Sequence, residues 1–150
     1  MLKALAHPAV YGQCNPLVIG DRRILDRAMI ELNIDPLHID DAGGPATAVF
    51  QPGTATLIDL NSQSSRLSLG SHSPASGKAA VEYLCACDMA MAGEVDAIVT
   101  APLNKAAMFA AGFRIAGHTE LLTDAPARER SMLLIGPNLR VVHVSTHVAL

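Results

Sequence analysis

The sequence predicts an α/β protein built on a mostly parallel sheet flanked by helices. Short apolar runs alternate along the chain with segments of helical periodicity, the pattern of strands joined by crossover helices. Half of the 150 residues are hydrophobic and only 17% are charged, so a sizeable core is available and intrinsic disorder is excluded. Aromatic residues make up 3%, which leaves Ala, Val, Ile, Leu and Met to fill that core. The length is that of one ordinary domain, and residues 1–150 are read as a single α/β segment.

The elements follow in order. Residues 2–11 are expected to form one short helix that starts without a visible cap. Leu17, Val18 and Ile19, ended by Gly20-Asp21, read as a buried strand. Residues 22–33 place Ile24, Leu25, Ala28, Met29 and Leu32 at the period of an amphipathic helix. Residues 37–39 and 56–60 are the next strands. Residues 40–53, which hold most of the local Gly and Pro, form the loop or irregular edge between them. Residues 61–73, rich in Ser and Asn, read as an exposed connection or hairpin arm.

Residues 74–91 give the strongest helical signal. Pro74 and Ser76 suit its first turn, Ala79, Val81, Leu84, Cys85, Met89 and Ala90 supply apolar faces, and Gly93 ends it. A strand over 95–99, a loop over 100–102 and a helix over 104–111 follow, with Gly112 as the stop. Another helix is expected from His118 or Thr119 to about residue 129. Residues 131–135 and 139–146 are apolar strands separated by Gly136-Pro137-Asn138, an antiparallel hairpin. A strand left uncovered near Leu150 gives the expectation that the chain is truncated.

Several function classes drop out. A formal net charge of −3 supplies no basic footprint for nucleic acid. No apolar run approaches the roughly 20 residues that span a bilayer, and His7-Pro8 interrupts the amino terminus too early for a secretory signal. The expected compartment is the cytoplasm. Cys14, Cys85 and Cys87 match neither a zinc pattern nor a disulfide framework and are expected to be small buried apolar residues.

Gly77-Lys78 fails as a phosphate loop, because position 72 is His and position 79 is Ala where Gly and Ser or Thr are required. No G-x-G-x-x-G occurs, so a Rossmann dinucleotide site has no support. Asn104 and Lys105 follow an expected strand, where open α/β sheets bind ligands; they meet an anionic substrate or merely start a solvated helix. In Gly117-His118-Thr119-Glu120, His118 and Thr119 stand at an expected helix start, which either binds an anion or is capped by Thr119. His143, Ser145 and His147 share one face of an expected strand.

Taken together, residues 4–21 (ALAHPAVYGQCNPLVIGD), 76–92 (SGKAAVEYLCACDMAMA), 93–105 (GEVDAIVTAPLNK), 117–121 (GHTEL) and 132–150 (MLLIGPNLRVVHVSTHVAL) resemble the 4-hydroxythreonine-4-phosphate dehydrogenase family, in order and at similar spacing. Residues 34–70 carry little of the resemblance. It implies a fold of the isocitrate/isopropylmalate dehydrogenase type and NAD-dependent oxidation of the secondary alcohol of a phosphorylated hydroxy acid. Loss of carbon dioxide then yields an amino ketone phosphate for pyridoxal phosphate synthesis. It also implies that His118 and Thr119 contact substrate and that His147 binds a divalent metal such as Zn, Mg or Co. The active site would form between the two subunits of a homodimer. A metal-bound hydroxyl has a lowered pKa, which favours the alkoxide from which hydride leaves.

The departures from the family are specific. The chain is expected to start inside the family's first helix and to stop before two of three metal-binding histidines, so it is read as truncated at both ends. His143 stands where the family has an apolar residue. Two alternatives stay open: the same chemistry on 4-phospho-threonate or 4-phospho-erythronate, and a non-catalytic remnant that folds and dimerises.

Overall fold

A computed structural model of the chain describes residues 1–61, 73–75, 77, 79, 85–114 and 131–144. At its start, α1 (Leu2–Leu5) and α2 (Pro8–Tyr11) replace the single helix expected over residues 2–11. A residue that precedes proline is pushed out of the helical region. His7 is accordingly extended at φ −95°, ψ 119°, and its Nδ1 accepts a hydrogen bond from the Ala9 amide at 3.2 Å. His7 thus caps the second helix instead of continuing the first.

The expected strand and helix then appear as β1 (Leu17–Gly20) and α3 (Arg22–Glu31). Asn33 ends the helix at φ +48°, with Asn33 N–H donating to Ile30 and Ile34 N–H to Met29, the paired bonds of a Schellman closure. Next come β2 (His38–Asp41) and β3 (Thr54–Asp59). The three strands are parallel in the order β1-β3-β2, with Val18 opposite Leu57, Gly20 opposite Asp59 and Ile39 opposite Ala55. Asp40 and Asp41, expected in the loop, belong to β2. Pairing with Thr56 and Leu57 outweighs the poor strand propensity of aspartate.

Side chains alternate across a strand, so Val18, Ile39, Ala55 and Leu57 share one face. Leu2 and Leu5 of α1, Leu25, Ala28 and Met29 of α3, and Leu37 close over that face and make the core. Ala55 and Leu57 on the central strand have no exposed surface. A leucine buried this way stabilises the fold by roughly 1.5–3 kcal/mol. On the opposite face the buried Thr56 donates its hydroxyl to the Val49 carbonyl at 2.5 Å, which pins the connection between β2 and β3, a loop that holds one 3-10 turn over Pro45–Thr47. The Tyr11 hydroxyl donates to the Thr54 carbonyl at 2.6 Å and ties α2 to the start of β3.

Pro74, Ala75, Gly77 and Ala79 are helical, as is α4 (Cys85–Met91), all within the helix expected over 74–91. Further on lies α5 (Lys105–Ala110). Both stops predicted by glycine hold. Gly93 at φ +74° and Gly112 at φ +93° sit in the left-handed region, and each closes its helix with the same two bonds seen at Asn33.

Residues 95–99 form no strand, and Val99 is almost fully exposed. An apolar run becomes a strand only when a neighbour takes its backbone groups, and no described strand pairs with this one. The expected hairpin is present as β4 (Leu133–Ile135) and β5 (Arg140–Val142), antiparallel and separate from the parallel sheet. Among the described residues, no helix is long and apolar enough to cross a membrane.

Candidate functional site

Open parallel sheets bind ligands at the carboxyl ends of their strands. In this chain that edge is made by Gly20, which ends β1, and Asp21 after it, by Asp59, which ends β3, with residues 60 and 61 after it, and by Asp41 at the end of β2. Asp21 caps α3. Its Oδ1 accepts from the Arg23 amide at 2.9 Å and from Arg23 Nε at 3.0 Å, and its Oδ2 accepts from Arg23 Nη2 at 2.6 Å. The carboxylate is buried while the guanidinium is half-exposed. Hydrogen bonds from the Arg23 side chain hold the Asp21 carboxyl below its ordinary value, against the opposing effect of burial.

Asp59 Oδ1 accepts from the Arg22 amide at 3.3 Å and from the Asn61 amide at 2.9 Å, with Asn61 at φ +41°. The Arg22 guanidinium reaches back to Asp41 at 2.7 Å. The first two amides of α3 are therefore taken by the chain's own carboxylates, as the helix dipole favours. The edge is electrostatically satisfied and holds the strand ends together. It is not a vacant anion cradle.

The second position of interest is Gly77. A Cβ added there would lie 2.2 Å from the Ala107 carbonyl oxygen and 2.5 Å from its carbon. Gly77 and the neighbouring Ala79 are buried, as are Ala107 and Met108 of α5. The glycine that tempts a phosphate-loop reading lets a helix backbone approach α5 closely. The signal in the sequence was its setting among small residues, Ala75, Ser76, Ala79 and Ala80.

Asn104 resolves in favour of the helix start: its Oδ1 accepts from the Ala107 amide at 2.8 Å and caps α5, with Lys105 exposed beside it. The premise that this segment follows a strand fails with residues 95–99. The cysteines are also more open than expected. Cys14 is exposed, and Cys85 and Cys87 are half-buried. Burial first, and then the Asp88 carboxylate, pushes the Cys85 and Cys87 thiols up, which disfavours the reactive thiolate. His143 donates its amide to the Met132 carbonyl at 3.0 Å and extends the hairpin by one pair.

His118, Thr119 and His147 lie outside the described residues, as does the helix expected from residue 118. Among the described residues, no group of three or more His, Cys, Asp or Glu side chains is placed to hold a metal ion. The described side chains therefore do not by themselves fit a metal centre. The sequence pointed neither to the Asp21, Asp41 and Asp59 network nor to its two arginines, because the strands that gather them are far apart in the chain.

Fold and edge together define an α/β protein with a parallel sheet whose charged carboxyl edge is closed on itself. Residues 12–150 match the profile of the family described as pyridoxal phosphate biosynthetic protein PdxA, and the chain belongs to that family. It is 44% identical to a D-threonate 4-phosphate dehydrogenase of Cupriavidus necator and 42% identical to a 4-hydroxythreonine-4-phosphate dehydrogenase of Desulfosudis oleivorans. Each match covers 100% of this chain and 45% of the relative. The crystal structure of a 4-hydroxythreonine-4-phosphate dehydrogenase from Burkholderia phymatum superposes with a TM-score of 0.88 at 42% identity, over 99% of this chain and 45% of that one. The chain thus spans a little under half the length of the relatives it matches.

Proposed function

We propose that this chain takes part in the NAD-dependent, divalent-metal-dependent oxidation of a phosphorylated hydroxy acid, followed by decarboxylation, within a fold of the isocitrate/isopropylmalate dehydrogenase type. One observation carries the reading: relatives named for two such substrates align along the whole chain at 44% and 42% identity. The substrate class common to both names is a four-carbon hydroxy acid bearing a terminal phosphate. The closed sheet edge supports placing that anion elsewhere, because the leading amides of α3 are already taken by Asp21 and Asp59. The proposal assigns it to His118 and Thr119 and assigns metal binding to His147, in a homodimer with its active site between subunits.

The test is a chimera in which residues 1–150 replace the matching segment of the Cupriavidus necator relative. It is assayed for NADH formation with 4-phosphooxy-threonine and with D-threonate 4-phosphate. Turnover of one or both is expected, and a folded dimer inert toward both overturns the proposal. Within the chimera, His147→Ala should strip metal and abolish turnover. His118→Ala should retain metal and raise KM, because its partner is a substrate group. If metal content falls with His118→Ala and holds with His147→Ala, the two assignments are reversed.

A further inference from the structure

We draw no further inference here: the strongest candidate, the cluster of Asp21, Asp41 and Asp59 with Arg22 and Arg23 at the carboxyl edge of the parallel sheet, belongs to the site already described, where the chain's own amides and guanidinium groups take the carboxylates and nothing else among the described residues points to a ligand.

Discussion

The parallel sheet and the hairpin use the same residues to opposite effect. In the sheet, Val18, Ile39 and Leu57 are buried under α1 and α3, and Leu57 has no exposed surface. In the hairpin, Leu133, Leu134, Ile135, Val141 and Val142 remain largely open. Side-chain type is matched, so what differs is cover. A strand's apolar residues contribute to stability only as far as another layer removes them from water. The first region carries that layer within residues 1–61, because α3 follows β1 directly and α1 lies over β3.

The largest break in this comparison should come from Leu57→Ala. It opens a cavity on the central strand under two helices and should cost roughly 2–5 kcal/mol, measured by urea unfolding of the chain. A cost below about 1 kcal/mol would mean that the sheet's core is no better covered than the hairpin.

Gly77→Ala should follow at roughly 1–3 kcal/mol, since its Cβ would fall 2.2 Å from a backbone carbonyl that has no flexible side chain to yield. The same substitution at Gly43, whose nearest neighbour is 3.7 Å away, is the control and should be far milder.

Asp21→Ala removes both the cap of α3 and the Arg23 pair and should cost about 1–2 kcal/mol at neutral pH. The wild-type chain gives the sign independently. The folded carboxyl titrates below its ordinary 3.8, so its stabilisation is complete above that pH and is lost as pH falls through the folded value. The gap between wild type and Asp21→Ala should therefore narrow on acidification. A gap that widens below pH 3.8 would overturn the assignment of Arg23 as the dominant partner.

The smallest effect should be Leu134→Ala in the isolated chain, within about 0.5 kcal/mol. Its residue type and strand setting match those of Leu57, which makes the pair a direct measure of cover. A cost equal to that of Leu57→Ala would show that the hairpin is already buried in solution.

Legibility followed the range of the interactions. Helix ends were readable at Gly93 and Gly112, because a left-handed residue is required there and glycine adopts it without steric cost. The strand at 17–20, the helix at 22–31 and the hairpin were readable from period and turn chemistry within a dozen residues. The break at His7 is equally local, since Pro8 pushes the residue before it out of the helical region, yet the apolar spacing over residues 2–11 reads as one helix. The strand expected over 95–99 failed for a different reason: its pattern is apolar, but a strand exists only through a neighbour. Of the candidate site, the family motifs were readable as ordered strings, whereas their geometry at His118, Thr119 and His147 falls outside the described residues.

By itself the sequence determined the local conformations: where helices start and stop, which residues alternate across a strand, and which turn closes the hairpin. Those follow from backbone sterics and from side chains reaching their own neighbours. Only the tertiary structure decided that β3 lies between β1 and β2, that Asp41 and Asp59 meet Arg22, that Gly77 touches Ala107, and that one apolar sheet is covered while another is open. These outcomes depend on closing loops between distant segments, and many pairings share the same local pattern until burial selects one.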